Sequence, residues 1–259
     1  MNRWRLDGAR AVVTGGTRGI GLAVVLELVE LGASVVTAGR DLEDLDPRLT
    51  SARDAGRLTL IASDLATPEG RAALVDAIPA GWDTLDILVN NVGTNVRQPS
   101  LAVTDDAWQR ILDTNVTCAW DLSRALRPRL GASGRGAIVN VGSVAGQVSV
   151  GTGAVYAMTK AAIEQLTRYL AVEWARDGIR VNAVAPWYIR TPLVEPILGD
   201  PATLARVLAV TPMGRVGEPH EAAAAIAFLC LPAASFVTGQ VLAADDGFLA
   251  YGFSPRPPA

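Results

Sequence analysis

The segment TGGTRGIG, residues 14–21, decides the fold. It follows a short apolar run, Ala11 to Thr14, that is typical of a buried strand, and it precedes a helical pattern from Leu22 to Leu31 that ends at Gly32. A strand, a glycine turn and a helix bring bare backbone N–H groups and the positive end of a helix against a pyrophosphate. The segment therefore predicts a dinucleotide site; a tight turn without a ligand is the alternative. The expected contacts are Gly15, Thr17, Arg18, Gly19, Ile20 and Gly21.

Apolar runs of this kind recur along the chain and alternate with helical patterns. Further strands are predicted at 34–39, 58–62, 85–90, 137–141, 179–185 and 240–244. Continuous apolar strands separated by helices are typical of a parallel sheet covered on both faces. We therefore expect an α/β Rossmann fold, a single domain over residues 1–259 with a doubly wound, seven-stranded parallel sheet. A small lid is expected at about 187–217 and a loose tail at about 254–259.

The predicted second and third strands end in residues that suit a phosphorylated adenosine. Arg40 stands at the end of the second strand, where an acidic side chain would instead bind the ribose 2′-hydroxyl of NAD. Together with Arg18 it suits a 2′-phosphate, so we expect NADP(H) as the cofactor. Because the chain is rich in arginine, the alternative is that Arg18 and Arg40 are solvated surface residues that bind no ligand. Asp64 and Leu65, just beyond the third strand, are expected beside the adenine.

The fourth predicted strand leads into NNVG. Asn91, Val92 and Gly93 come directly after that strand, where an amide can hold the strand end and a glycine lets the backbone approach a cofactor. An ordinary turn is the alternative. We include the three residues in the predicted cofactor site.

The segment YAMTK, residues 156–160, carries the candidate chemistry. Tyr156 and Lys160 are four residues apart and therefore share one face of a helix. Lys160 is the only lysine among 23 basic residues, which indicates a position where a guanidinium does not serve; a solvated lysine is the alternative. Because an ammonium beside a phenol favours phenolate, we expect the pKa of Tyr156 to lie below its usual value of about 10. Tyr156 is then a candidate proton donor and acceptor.

Composition argues against several other kinds of site and partner. The one histidine, His220, lies at an apparent helix start and is expected to be structural, so neither a metal site nor a Ser/His/Asp triad is expected. Cys118 and Cys230 lie in apolar helical patterns and are expected to be free, buried thiols. The net charge of −3 argues against a nucleic-acid partner. Because the longest apolar run, 222–231, is too short to span a bilayer and the N-terminal residues lack a signal-peptide pattern, we expect a soluble, cytoplasmic protein.

Taken together, the motifs resemble those of the short-chain dehydrogenase/reductase family over essentially the whole chain. The matching motifs, in order, are TGGTRGIG, Asp64-Leu65, NNVG, Asn115, Ser143, YAMTK and PWYIRTP. Within the family, the run from APWYIRTPLV through MGRVGEP to FLCLPAASFVTGQ is most similar to tropinone reductase and its relatives. The resemblance implies an enzyme that transfers hydride between NADP(H) and a carbonyl or alcohol group. It also suggests a homotetramer in which the helices beginning near Thr104 and Tyr156 pack between subunits.

The resemblance implies a role for each site residue. Tyr156 would protonate a carbonyl oxygen or deprotonate an alcohol, and Ser143 would hydrogen-bond that oxygen. Lys160 would bind the nicotinamide ribose and depress the pKa of Tyr156, while Asn115 would position a water that links Lys160 to solvent. The remaining implied contacts are Pro186, Ile189 and Thr191 for the nicotinamide, and Ser143, Val144, Tyr156, Trp187 and Val194 for the substrate.

Three positions depart from the usual motifs of the family. Val92 replaces the alanine of NNAG, a small enlargement that is expected to be harmless. Trp187 replaces a glycine after Pro186 and is expected to place an indole near the nicotinamide and to narrow the pocket. Asp246 stands where the motif DGG has its first glycine, which changes the geometry that this turn can adopt.

The leading interpretation is an NADPH-dependent carbonyl reductase for a small, largely apolar or cyclic ketone. Apolar lining is expected from Trp187, Tyr188, Leu193, Val194 and Ile197. Glu195 could meet a cationic amine, but an exposed position on the lid is the expected one. A 3-oxoacyl carrier-protein reductase is the alternative with the same site, and Arg127 and Arg129 could then receive an acidic carrier protein. A sensor or scaffold that binds NADPH without turnover is the alternative of another class; it predicts loss of the catalytic groups, and all four are present.

Overall fold

The computed structural model describes residues 2–252, so the loose tail predicted at about 254–259 lies outside the described residues. The strands are β1 (Arg10–Thr14), β2 (Ser34–Gly39), β3 (Leu58–Ala62), β4 (Ile87–Asn90), β5 (Ala137–Val141), β6 (Arg180–Pro186) and β7 (Val241–Ala244). The α-helices are α1 (Gly19–Glu30), α2 (Pro47–Asp54), α3 (Pro68–Asp76), α4 (Asp105–Leu112), α5 (Cys118–Ala132), α6 (Ala154–Glu173), α7 (Glu195–Leu198), α8 (Pro201–Ala209) and α9 (Pro219–Cys230).

The strands form one parallel sheet in the order β3-β2-β1-β4-β5-β6-β7. Val12 of β1 lies opposite Val36 on one side and Leu88 on the other, so the carboxyl ends of these strands are aligned. The direction of winding changes between β1 and β4, and open α/β sheets bind ligands in the crevice at such a point. The predicted Rossmann fold with a seven-stranded parallel sheet is confirmed.

Two hydrophobic cores cover the two faces of the sheet, because successive residues of a strand point to opposite sides. Val13 and Val89 face a core shared with α1 and α9. Val12 and Leu88 face the other core, which includes side chains of α3, α5 and α6. Burial on both faces explains why these strands are continuous apolar runs rather than alternating ones.

Helix α1 begins three residues earlier than the sequence analysis expected. It starts at Gly19, so the last glycines of the TGGTRGIG segment lie in its first turn. Gly15 and Gly19 have positive φ values of 67° and 57°, which glycine adopts without a Cβ penalty. A Cβ on Gly21 would overlap the carbonyl oxygen of Gly15. The turn is therefore tight enough to require glycine at its closing position.

The long helix predicted from Thr104 is present but interrupted. Thr104 begins it by accepting a hydrogen bond from the backbone N–H of Ala107 at 3.2 Å. Between α4 and α5 lies one π-helical turn, Asp113–Thr117, which includes Asn115. Such wide turns are frequent at functional sites, and this one packs against α6, which carries Tyr156.

The segment predicted as a lid, about 187–217, contains α7 and α8 and connects β6 to α9. The two helices pack against each other, and Asp200 caps α8 by accepting from the backbone N–H of Thr203 at 2.9 Å. In the described part of the chain, no helix combines the length and the apolar character that crossing a membrane would require.

Candidate active site

The four predicted catalytic residues come from three neighbouring elements. Ser143 lies two residues after the end of β5, Tyr156 and Lys160 lie in the first two turns of α6, and Asn115 lies in the π-helical turn. The end of β5 and the start of α6 are joined by residues 142–153, so both lie at the carboxyl edge of the sheet. The structure thus brings these side chains together where a ligand of this fold would bind.

Lys160 is buried beside Tyr156. Its side chain is 4% exposed, and its Nζ donates a hydrogen bond to the backbone oxygen of Val141 at 2.8 Å. The same Nζ lies 5.5 Å from the centre of the Tyr156 ring. Burial lowers the pKa of Lys160 to about 8, because removal from water disfavours the ammonium.

The pKa of Tyr156 differs from the sequence expectation. Burial raises it above its usual value, while the side chain of Ser143 and the charge of Arg97 oppose that shift only in part. The expected lowering by Lys160 was therefore wrong, because burial has the largest effect on the pKa of Tyr156 and the groups that oppose it are Ser143 and Arg97. These groups keep Tyr156 as a neutral phenol at neutral pH, which is the form that donates a proton.

Asn115 ties the loop after β4 to α6. Its Oδ1 accepts from the backbone N–H of Thr94 at 2.8 Å, and its Nδ2 donates to the backbone oxygen of Thr94 at 3.0 Å. The same Nδ2 donates to Oγ1 of Thr159 at 3.0 Å, one residue before Lys160. A Cβ on Gly93 would lie 3.5 Å from Nζ of Lys160 and 3.6 Å from Oδ1 of Asn115. The NNVG loop thus passes directly beside both side chains.

The glycine turn and the NNVG loop are joined by hydrogen bonds. Oγ1 of Thr14 accepts from the backbone N–H groups of Asn91 and Val92 at 2.8 and 3.0 Å. Nδ2 of Asn91 donates to the backbone oxygens of Thr14 and Gly15 at 2.8 and 3.1 Å. The amide of Asn91 therefore holds the backbone of the glycine turn in place. Val92 and Gly93 contribute backbone to the loop that follows β4.

The start of α1 fits an anionic group of a dinucleotide. The helix has 12 residues, no acidic residue in its first turn and no side-chain cap, so its first N–H groups and its positive end are available to a phosphate. Thr17 packs against Gly39 at the end of β2, which places Arg18 and Arg40 on neighbouring segments. Both arginines are exposed.

The other predicted cofactor residues lie along the same edge. Asp64 is exposed just after β3 while Leu65 is buried. After β6, Ile189 is 4% exposed and pairs with Gly217 as an isolated bridge. A Cβ on Gly19 would lie 3.3 Å from Cγ2 of Thr191, so the segment that follows Pro186 reaches across to the glycine turn. These segments therefore lie along the carboxyl edge of the sheet, where open α/β folds bind their ligands.

A small pocket opens beside the phenol of Tyr156. It is lined by Asn95, Arg97, Ser143, Val150, Thr152, Tyr156, Trp187, Tyr188, Leu193 and Val194. Of the predicted substrate contacts, Val144 is missing from this wall. It is buried in the short turn that packs Ser143 against α6, so its side chain belongs to the core.

Trp187 forms a fixed wall of this pocket. Its Nε1 donates to Oγ1 of Thr211 at 3.0 Å, and its ring stacks on Phe248 with centroids 3.9 Å apart. The Tyr188 ring meets it edge-on at 4.6 Å. Because three partners hold the indole, its position is set by the protein.

Asn95, Arg97, Val150 and Thr152 were missed by the sequence analysis. Asn95 and Arg97 lie within four residues after NNVG, and Val150 and Thr152 lie within six residues before YAMTK. Both pairs are therefore close in sequence to a predicted motif. Their loops lack a periodic pattern that would show which side chains face the pocket. Glu195, weighed as a partner for an amine, is exposed and lies 3.7 Å from Arg190; it does not line this pocket.

The departure at Asp246 has a visible backbone consequence. Asp246 has a φ of 55° and Gly247 a φ of 83°, so an aspartate occupies the left-handed conformation for which glycine is favoured. Asp245 holds the turn by accepting from the backbone N–H groups of Gly247 and Leu249 at 3.0 and 2.8 Å. The DDG turn thus forms, with strain at its second residue.

Comparisons with known proteins show which family this chain is similar to. Residues 15–249 match the family model described as enoyl-(acyl carrier protein) reductase. A tropinone reductase homolog of Arabidopsis thaliana is 48% identical over 255 residues, which cover 97% of this chain and 96% of the relative. A crystal structure described as a putative gluconate dehydrogenase from Agrobacterium tumefaciens superposes with a TM-score of 0.91 at 33% identity, covering 97% of this chain and 100% of the other.

A further crystal structure is described as a gluconate 5-dehydrogenase from Burkholderia cenocepacia in complex with NADP and tartrate. It superposes with a TM-score of 0.90 at 35% identity and covers 97% of this chain and 99% of the other. Likeness at this level over nearly the full length of both chains extends to the whole fold.

Proposed function

Because the chain belongs to the short-chain dehydrogenase/reductase family, we propose that it is an NADPH-dependent carbonyl reductase that interconverts a small ketone and its alcohol. One observation carries this proposal: Ser143 and Tyr156 share the wall of one pocket, and the buried ammonium of Lys160 lies 5.5 Å from the tyrosine ring. This arrangement places a proton donor and a hydrogen-bond donor together at the edge of a dinucleotide crevice.

The protein groups divide the reaction between them. When bound, NADPH supplies hydride from its nicotinamide ring. Tyr156 gives its phenolic proton to the carbonyl oxygen in reduction and takes a proton from the alcohol in oxidation. Ser143 hydrogen-bonds the same oxygen while negative charge develops there. Lys160 holds the nicotinamide ribose, and its positive charge favours the phenolate that Tyr156 becomes; Asn115 positions the water that links Lys160 to solvent.

The cofactor is NADP(H). The start of α1 takes the pyrophosphate, and Arg18 and Arg40 flank the place where a 2′-phosphate would lie. The gluconate 5-dehydrogenase of B. cenocepacia, which shares this fold, is described with NADP. Asp64, Leu65 and the NNVG loop complete the adenosine side, and Ile189 and Thr191 complete the nicotinamide side.

The substrate we propose is a small ketone with an apolar or cyclic body. Trp187, Tyr188, Leu193 and Val194 supply the apolar wall beside Tyr156, and the lid segment at about 187–217 covers this side. The similarity to tropinone reductase homologs supports a compact ketone of this kind.

Reduction of a 3-oxoacyl carrier protein is less well supported. Arg127 and Arg129, weighed as a docking site, lie near the end of α5 that leads into the start of β5, whereas Tyr156 lies beyond the other end of that strand. Arg127 is also engaged with Asp177 at 2.6 Å and lies over the ring of Trp174. A carrier bound there would be separated from the pocket by the depth of the sheet.

We also propose a homotetramer, with α4, α5 and α6 between subunits, and a location in a reducing compartment such as the cytoplasm. Exposed apolar side chains on these helices support the homotetramer. The two free, buried thiols, Cys118 and Cys230, support the reducing compartment.

The proposed function is tested with Tyr156→Phe. Removal of the phenolic hydroxyl takes away the proton donor, so kcat for NADPH-dependent ketone reduction is expected to fall by about 10²-fold or more. NADPH affinity, measured by fluorescence titration, is expected to change little. Tyr169→Phe is the matched control, since Tyr169 lies on the same helix and is exposed. Retention of most of the activity in Tyr156→Phe would contradict the assigned role.

A further inference from the structure

The pocket beside Tyr156 has one polar wall that the proposed function does not use. Asn95, Arg97 and Thr152 form this polar wall, and the same pocket is lined by the aromatic side chains of Tyr156, Trp187 and Tyr188. Nδ2 of Asn95 donates to the backbone oxygen of Thr152 at 2.9 Å, so the amide is fixed with its oxygen as the free end. These three residues come from the loop after β4 and from the loop before α6.

The polar wall carries unused hydrogen-bonding capacity. Oδ1 of Asn95 and Oγ1 of Thr152 are buried and have no hydrogen-bond partner among residues 2–252. Buried polar atoms of native proteins normally have partners, and these two belong to residues that line a pocket. A ligand hydroxyl group would satisfy both, because it can donate to Oδ1 of Asn95, which only accepts, and can pair with the hydroxyl of Thr152.

Arg97 gives this wall a positive charge. Within the described part of the chain its guanidinium takes part in none of the salt bridges. Its charge reaches Tyr156, where it opposes in part the burial that raises the pKa of that phenol. Arg97 is exposed at the mouth of the pocket, so a substrate can reach it without displacing a protein partner.

The same charges disfavour a cationic substrate. An amine in this pocket would face Arg97, and Glu195, the carboxylate weighed for it, is exposed beside Arg190. Like charges in a small pocket repel, whereas a carboxylate would form a charge-assisted, bidentate pair with the guanidinium.

We propose that the ketone reduced by this enzyme carries a carboxylate, which Arg97 binds, and that Thr152 and Asn95 bind a neighbouring hydroxyl group where the substrate has one. This inference rests on the proposed function and names the substrate class of the same site. The substrate is an oxo acid, with its carbonyl at Tyr156 and its acid group at the polar wall. Arg97 is then a specificity-determining residue.

The test compares matched ketones that differ in charge. We choose 4-oxocyclohexanecarboxylate with its methyl ester, 4-oxopentanoate with its methyl ester, and N-methyl-4-piperidone as the cationic amine. The wild-type protein is expected to favour the acid over the ester in at least one pair by about tenfold in kcat/KM, a value that allows for solvent screening of an exposed arginine. The preference is expected to shrink at high ionic strength.

Three variants assign this preference to Arg97. In Arg97→Gln the acid-to-ester ratio of kcat/KM is expected to fall to about one, and in Arg97→Lys part of it is expected to remain, because the charge is kept without the planar fork. Arg176→Gln is the matched control, since this exposed arginine follows the far end of α6, roughly 30 Å from Tyr156. There the ratio is expected to stay unchanged. Thermal unfolding of each variant confirms that it is folded.

The outcomes separate the two proposals. Equal use of acid and ester in both pairs, preference for the amine, or an unchanged ratio in Arg97→Gln would overturn the oxo-acid inference while leaving carbonyl reduction in place. Failure to oxidise NADPH with any ketone, charged or neutral, would overturn the proposed function itself.

Discussion

Burial acts on Tyr156 and Lys160 in opposite directions and pushes both toward their neutral forms. The pKa of the phenol is raised, whereas that of the ammonium is lowered to about 8. For reduction, Tyr156 must begin protonated, and Lys160 must be charged to favour the phenolate that forms. Loss of the proton from Lys160 is therefore expected to limit the rate of ketone reduction at alkaline pH.

This assignment predicts the pH dependence of ketone reduction. Below about pH 8 both required protons are present, and above it Lys160 loses its charge, so kcat/KM is expected to be level near neutral pH and to decline as pH rises through about 8. The measurement is a pH profile of ketone reduction at saturating NADPH, with circular dichroism at each pH to show that the fold persists. A rate that rises steadily from pH 8 to pH 10 would contradict the role given to Lys160.

Asp246 is expected to destabilise the fold through its backbone conformation and through its charge. Its φ of 55° disfavours a side chain, and burial together with the nearby charges of Glu221 and Asp245 raises its pKa, against the opposing effect of Arg215. Asp246→Gly removes both penalties and is expected to stabilise the fold by about 0.5–1 kcal/mol. Asp245→Ala is the contrasting variant. It removes two hydrogen bonds that Asp245 accepts from backbone N–H groups, so it is expected to lower the stability of the fold. Urea unfolding measures both, and a destabilised Asp246→Gly would refute the account of strain.

At the scale of elements, the strands were predicted well because burial on both faces leaves an unmistakable apolar run. The bounds of 34–39, 58–62 and 137–141 agree with the observed strands. The π-helical turn at Asp113–Thr117 could not be predicted, since nothing in the local pattern distinguishes it from the surrounding helix. The polar wall was missed for a similar reason, because the direction of Arg97 is set by the packing of a loop. The sign of the Tyr156 pKa shift also needed the burial of that side chain, which helical spacing does not provide.

The position of α6 depends on Gly146. A Cβ at this residue would lie 2.8 Å from the backbone carbon of Lys160 and 2.9 Å from the backbone nitrogen of Ala161. Since backbone cannot yield as a side chain can, Gly146→Ala is expected to displace α6, to destabilise the fold by about 1–3 kcal/mol and to reduce kcat. Urea unfolding and ketone turnover are the measurements. Gly81→Ala is the control, because its Cβ would meet nothing within 4 Å, and equal behaviour of the two variants would contradict the close approach.

For the whole molecule, the helices that position the site also present an apolar outer surface. On α6, Met158, Tyr169 and Val172 are 55%, 65% and 81% exposed, and they fall on one stripe of that helix. Trp120 of the neighbouring α5 is also exposed. Exposed apolar patches of this kind mark interaction surfaces, so the surface fits the packing of subunits proposed above.

This surface predicts the oligomeric state. The wild-type protein is expected to have four times the chain mass of 27.1 kDa in size-exclusion chromatography with light scattering. Val172→Asp places an unpaired charge in the apolar contact and is expected to yield smaller species. Ala55→Asp, at an exposed position at the end of α2, which packs against the edge strand β3, is the control that should keep the wild-type mass. A monomeric wild type, or an unchanged mass for Val172→Asp, would show that the apolar stripe of α6 does not join subunits.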